Sequence, residues 1–232
     1  MTIDVIIPAL NEEQSIGFVL RDIPKHLSRT IYVTDNGSSD RTVEVAQSEG
    51  AKVLYQARRG YGSACLKAMD AIASLPSNQK PDAVAFLDAD YSDHPAELVL
   101  LVRKLEESQA DLVIGSRVLG KAQKGSLTTV QRFGNRLSTW LIEKLFGYHF
   151  TDLGPFRIIR YDALLKLNMQ DPDYGWTVEM QVKAAQHKLM ATEVPVSYKK
   201  RIGKSKVSGT IRGIFGAGSK ILFIIFKTYV KG

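Results

Sequence analysis

Two aspartates one residue apart, Asp88 and Asp90, end an apolar run from Val84 to Leu87. Hard divalent cations take oxygen ligands and bridge to substrate phosphates, so paired carboxylates at the end of a buried strand suit Mg²⁺ or Mn²⁺. One carboxylate can ligate the metal while the other binds a metal water or a ribose hydroxyl. The same residues can also form a strand-end turn that caps the helix opened by Pro95. Their place after a hydrophobic strand favours the metal. His94 beside them is a helix-start residue next to Pro95 more readily than a metal neighbour.

Three more polar clusters follow apolar runs: Pro8 to Glu13, Asp35 to Asp40, and Ala57 to Gly62. A carboxylate at Asp35 can accept a hydrogen bond from a nucleotide base, and Gly37 permits a tight turn. An Asx turn explains the same residues, and the two roles are compatible. Arg58 and Arg59 precede Gly60-Tyr61-Gly62, and guanidinium groups beside a flexible loop match phosphate in bidentate fashion. Taken alone, they are ordinary surface charges. Cys65 packs under the helix that follows; as the sole cysteine it forms no internal disulfide, which suits a reducing compartment.

The elements that must position these clusters alternate strand and helix. Strands are expected at "IDVIIP", "TIYVTD", "AKVLYQ", "DAVAFLDAD" and "ADLVIGSR", with helices near 13–25, 39–49, 61–74 and 95–107. Apolar runs separated by such helices indicate an α/β fold with a mostly parallel sheet covered on both faces. Ligands then bind at the carboxyl ends of the strands, where all four clusters fall. After Arg117 a polar loop is expected at 120–126, then a helix over 128–147. A short strand and a helix follow in "FRIIRYDALLKL", a helix in "WTVEMQVKAAQH" and a strand in "ATEVPVSYK".

Of the formal net charge of +7, nine cations and no acid lie after residue 197, which leaves −2 for the rest. A near-neutral body with a basic end points to an anionic partner there. The N-terminus carries no expected signal peptide.

The segments "VIIPALNEEQSI", "VTDNGSSDRT", "ARRGYGSA" and "FLDADYSDHPAEL", in that order, resemble the family 2 glycosyltransferases of GT-A fold. The resemblance implies inverting transfer from a nucleoside-diphosphate sugar, UDP- or GDP-linked, with a divalent metal. It implies that Pro8, Asn11 and Glu12 line the nucleotide pocket and that Asp35 meets the base. Arg58 and Gly62 would belong to the donor-binding loop, and Asp88 and Asp90 would serve ribose, diphosphate and metal. The second half, in "GSR", "TDLGPFRIIR", "WTVEMQVKA" and "EVPVSYKKRIGKSKVSG", is similar to the polyprenyl-phosphate branch. That similarity makes Arg117, Arg157, Arg201 and Lys206 acceptor-phosphate contacts, Arg157 a catalytic residue as well, and Glu179 a sugar contact or a support. Gly154-Pro155 departs from the branch's Ser-Gly and stiffens the loop.

A hydroxyl acceptor needs a general base. A phosphate acceptor does not, because phosphate monoesters lose their second proton near pH ~6. Hydroxyl-using relatives carry a Glu-Asp pair in the second half, and the chain has no such dipeptide. Asp152 is the fallback base, or a turn residue before Gly154.

Residues 210–232 are expected as a basic amphipathic helix appended to a domain spanning 1–209. Ile211, Ile214, Phe215, Ile221, Leu222, Ile225, Phe226 and Tyr229 share one face, with Lys220, Lys227 and Lys231 opposite. Such a helix lies in the plane of a membrane rather than through it, so the expected location is the cytoplasmic face of a bilayer. Packing on the protein's own core or in a homo-oligomer is the alternative. Nucleic acid is not the expected partner, since the tail lacks interleaved exposed aromatics. A nucleotidyltransferase would show a glycine-rich basic loop after the first strand, and "PALNEE" is acidic. A non-catalytic nucleotide-binding subunit would have no need of both Asp88 and Asp90.

Overall fold

The structure is a computed structural model that describes residues 1–203 and 211–231, with side chains of the last segment described from 216 to 230. Seven strands, β1 (Ile3–Ala9), β2 (Ser28–Asp35), β3 (Lys52–Tyr55), β4 (Ala83–Phe86), β5 (Leu112–Ala122), β6 (Arg157–Arg160) and β7 (Ala191–Tyr198), form one sheet. Its order is β3-β2-β1-β4-β6-β5-β7. Only β6 is antiparallel, wedged between β4 and β5. The six other strands therefore end on one edge, and β6 begins there with Arg157 opposite Phe86 and Ile114.

Alternation along the strands builds two apolar layers. Val5, Ile7, Ala85, Leu87 and Val113 face one side, and Ile6, Val84, Phe86, Leu112 and Ile114 the other. Helices α1 (Ile16–Asp22), α2 (Thr42–Ser48), α3 (Tyr61–Ala73), α4 (Leu98–Glu107), α6 (Tyr161–Leu167) and α7 (Trp176–Gln186) cover them. The α/β fold class is as the sequence implies. The first helix is shorter than expected. The backbone first turns on Glu12, whose carbonyl accepts from Ser15 and Ile16 N–H, and Pro24 prevents continuation.

The loop expected at 120–126 is partly strand, since β5 continues to Ala122. Gly120 makes this possible. A Cβ there would sit 1.9 Å from the Val196 carbonyl oxygen, so only glycine lets β5 run this close to β7.

The long helix α5 (Thr129–Phe146) is held at both ends. Thr128 and Gln131 form a capping box, and Gly147 closes it at φ 71°. The basic C-terminal stretch forms α8 (Ile211–Lys231), which packs against α5 and α7. Ile224 and Ile225 are buried there, and Lys220 Nζ lies 2.9 Å from Asp171 Oδ2. Ile221 and Ile225, expected on a lipid-facing stripe, therefore face protein; Phe226 and Tyr229 from that stripe stay exposed. Among the described residues no helix is long and apolar enough to cross a membrane.

Candidate active site

Strand β4 ends against β1, and Asp88 emerges two residues later. Its Oδ1 is buried and has no hydrogen-bond partner among the described residues. Burial, then the charge of Asp90, pushes this carboxyl up to about 7. Asp90 Oδ1 accepts from Ser92 N–H at 2.9 Å and Ser92 Oγ at 2.5 Å, which fixes its rotamer. Its Oδ2 lies 3.2 Å from Arg201 Nη1. No group of three His, Cys, Asp or Glu side chains surrounds one point among the described residues. Two carboxylates, one with an unsatisfied buried oxygen, fit a cation that completes its shell with diphosphate oxygens and water.

The loops after β1 and β2 are stitched together. Asn11 Oδ1 accepts from Ser39 N–H at 2.8 Å, and Asn11 N–H donates to Ser38 Oγ. Glu12 is buried, with Oε1 2.9 Å from Arg201 Nη2 and Oε2 accepting from Ser15 Oγ. Pro8 sits in β1 opposite Thr34. Asp35 accepts from Gly37 and Ser38 N–H, so its Asx turn is real. Arg58 is exposed, and its carbonyl accepts from Asn36 and Ser63. Gly62 serves packing rather than an open donor loop: a Cβ would sit 1.9 Å from the Asp171 carbonyl oxygen. Glu179 holds that opposing segment by accepting from Gln170 and Asp171 N–H and pairing with Lys183. It is a support and makes no contact with the Asp88–Asp90 pair.

Across the cleft, Arg117 binds Asp152 in bidentate fashion, Nε to Oδ2 at 2.8 Å and Nη2 to Oδ1 at 2.7 Å. The Arg117 N–H also donates to Oδ2. This pairing holds the Arg117 guanidinium well above its ordinary pKa despite burial. The guanidinium also lies over the Tyr198 ring, 5.0 Å from its centroid. Asp152 thus has both oxygens engaged by Arg117, the geometry of a counter-ion rather than of a free base. Its loop is tied by Glu193, which accepts from Thr151 and Asp152 N–H, and by Asn135 and Gln181.

Arg157 also departs from expectation. It is fully buried, and its guanidinium donates to the carbonyls of Leu153, Gly154 and Thr177. Burial lowers it to about 10. It is a strut under the 152–156 loop and offers no face to a ligand. Lys206 lies outside the described residues. Asp93 was not anticipated. It is buried, neither oxygen has a hydrogen-bond partner among the described residues, and burial together with Asp88 and Asp90 pushes it well above the carboxylate range. Its signal was a third acid in the same segment, which reads equally well as a solvated cap.

A cavity of about 1130 Å³ opens beside this cluster. Asp88, Asp90, Asp152, Arg117 and Arg201 line it, as do Arg132 and Arg136 of α5, and Val118, Leu127, Val130 and Ile221 add apolar surface.

A seven-stranded sheet carrying paired aspartates at one strand end is the GT-A architecture. The chain belongs to glycosyl transferase family 2, whose sequence model matches residues 4–167; the protein is a glycosyltransferase. It is 38% identical over 214 residues to an uncharacterized glycosyltransferase of Mycobacterium tuberculosis, covering 91% of this chain and 92% of that one. It is 31% identical to the dolichyl-phosphate hexose transferase of Haloferax volcanii, covering 88% and 85%. Its fold is similar to that of glucosyl-3-phosphoglycerate synthase from Mycobacterium tuberculosis. The TM-score is 0.77 at 22% identity, with 99% of this chain and 80% of that chain covered.

Proposed function

We propose that the protein transfers a sugar, with inversion, from a nucleoside-diphosphate donor to a polyprenyl-type lipid phosphate at a membrane surface. The observation that carries this reading is the cavity, which joins acidic and basic side chains, Asp88, Asp90, Arg117 and Arg201 among them, to apolar ones on the same lining. At about 1130 Å³ it exceeds the ~300–1000 Å³ usual for small-molecule pockets. A phosphate head at Arg117 with a hydrocarbon tail along Val118, Val130 and Ile221 uses both kinds of lining. The relative named dolichyl-phosphate hexose transferase is consistent with that acceptor.

Asp88 and Asp90 are the residues that would hold a divalent cation. Bound there, it would neutralise charge on the departing diphosphate. The structural relative was crystallised with Mn²⁺ and UDP. In this reading Glu12, Asn11, Pro8 and Asp35 form the donor wall and Asp35 meets the base. Arg117 keeps Nη1 outside its bonds to Asp152 and can meet the acceptor phosphate, where Tyr198 and Asp152 hold its plane. An acceptor phosphate is already anionic at neutral pH, so attack needs no base from the chain.

The membrane side of the reading rests on α5 and α8. Val130, Phe133 and Trp140 on α5, and Phe223, Phe226 and Val230 on α8, are exposed large apolar side chains. Arg132, Arg136, Lys144 and Lys227 accompany them. An apolar surface with basic neighbours suits the cytoplasmic face of an anionic bilayer.

A second reading, a small phosphorylated acceptor, is favoured by the structural relative crystallised with phosphoglyceric acid. The deciding experiment gives labelled UDP- and GDP-sugars, with Mn²⁺ or Mg²⁺, a choice of polyprenyl phosphate or 3-phosphoglycerate. Label in the organic phase supports the lipid acceptor, and label only in the aqueous product overturns it. A preceding thermal-shift screen should show stabilisation by at least one donor that depends on metal.

A further inference from the structure

Arg201 occupies a singular position. It follows β7 on a segment strapped to the site edge: Lys199 N–H donates to the Ser92 carbonyl, and Ile202 N–H donates to the Asp90 carbonyl at 3.0 Å. Its guanidinium then spans the cleft from strand end to strand end. Nη2 lies 2.9 Å from Glu12 Oε1 on the β1 side, and Nη1 lies 3.2 Å from Asp90 Oδ2 on the β4 side. Nε is buried and has no hydrogen-bond partner among the described residues. Both carboxylates are buried, so a cation between them is worth far more than on an open surface.

We infer that Arg201 is an internal counter-ion that competes with the divalent metal for Asp90 and hands the site over only when a nucleoside diphosphate enters. This inference rests on the proposed metal-dependent donor site and extends it. Ser92 engages Asp90 Oδ1 and Arg201 lies at Oδ2, so a divalent cation at Asp88 and Asp90 would compete with the guanidinium for the carboxylate, and like charges so close repel. A diphosphate changes the balance, because it offers the guanidinium new oxygens in the same cleft and brings negative charge for both cations. Among the described residues Arg201 Nε is unpartnered, which leaves donor capacity that diphosphate oxygens could take. Metal and donor should thus bind as a pair, with Arg201 carrying the coupling.

The test measures Mn²⁺ affinity by electron paramagnetic resonance on the full chain, with and without UDP or GDP. Wild-type protein should bind Mn²⁺ weakly alone and markedly better with the diphosphate. Arg201→Ala and Arg201→Gln should bind Mn²⁺ alone about 10-fold more tightly than wild type, within the range typical of such coupling. The same variants should lose most of the enhancement by diphosphate. Arg201→Lys, which keeps the charge but cannot bridge both acids, should fall between. Unfolding temperature reports whether each variant is folded. Unchanged or weaker Mn²⁺ binding by folded variants, while wild type still binds Mn²⁺ with diphosphate, overturns the inference and leaves the metal site standing. Absence of Mn²⁺ binding by wild type with either diphosphate overturns both.

Discussion

Arg117 and Asp152 meet through two parallel hydrogen bonds of 2.8 and 2.7 Å, with the aspartate 1% and the arginine 13% exposed. Removing one partner of a buried pair strands the other, at a cost of about 3–5 kcal/mol. Asp152→Asn and Arg117→Ala should each lower the unfolding temperature and the turnover. The double variant Arg117→Ala with Asp152→Ala should be more stable than the sum of the two losses predicts. A denaturant-based double-mutant cycle reads that difference. If Asp152→Asn leaves stability and donor binding intact while abolishing turnover, the aspartate is a base, and the phosphate-acceptor reading weakens.

Asp88 and Asp90 should both be needed for metal, yet for different reasons. Asp90 is preset by Ser92, while Asp88 carries the unsatisfied oxygen. Asp90→Asn and Asp88→Asn should each weaken Mn²⁺ binding by at least the about 10- to 100-fold that loss of a group merely supporting a metal ligand costs. The fold should persist in both, which far-ultraviolet circular dichroism checks.

Metal binding should also follow pH. The Asp88 carboxyl lies at about 7, so below that value a proton occupies the site and must leave as metal arrives. Mn²⁺ affinity should therefore climb as pH rises through about 7 and level off above it. Calorimetry in buffers of different ionisation heat should register a released proton near pH 6 and almost none near pH 8. Affinity that is flat across this interval would show Asp88 to be already ionised.

Asp93 gives a prediction about stability. Its folded pKa lies above the unfolded carboxylate value, so the folded state loses stability as pH rises past the unfolded pKa toward the folded one. Asp93→Asn removes that ionisation. The variant should gain unfolding temperature at about pH 8 relative to wild type and gain less at about pH 4, at ~2–4 °C per 1 kcal/mol for a chain of this size. A loss at about pH 8 would mean that the charged form has a partner.

Much of the fold is legible in the residues. "VIIPA" and "AVAFL" are apolar runs at strand length, and the acids after them fall on the sheet edge because parallel strands end together. Residue type alone did not separate arginines that line a site from arginines that build it. Arg117 and Arg157 look equivalent in sequence; one lines the cavity and the other lies beneath it, because β6 runs against its neighbours and turns Arg157 under its own loop. Gly62 shows the same limit. A glycine beside arginines suggests a ligand loop, but its need comes from the Asp171 backbone more than a hundred residues away. Helical periodicity correctly placed α8 but could not choose its partner, since Ile225 suits lipid and protein equally and only the faces of α5 and α7 settle it.

The exposed faces of α5 and α8 lead to the last prediction. Phe133 is 67% exposed and Phe226 48%, although each is large and apolar. Burying such a side chain in an apolar environment is worth about 1.5–3 kcal/mol, so each contact with a bilayer should change partitioning about 10-fold or more. Nearby Arg132, Arg136 and Lys227 should add attraction to anionic headgroups that salt weakens. Phe133→Asp and Phe226→Asp should therefore reduce co-sedimentation with vesicles of anionic phospholipid. Their turnover with a short-chain, water-soluble acceptor phosphate should stay near wild type, because neither residue lines the cavity. Added salt should lower binding of all forms. Gel filtration separates this from self-association: if the Asp variants instead shift a wild-type dimer to monomer and vesicle binding is unchanged, the apolar face joins two copies of the chain and the membrane reading fails.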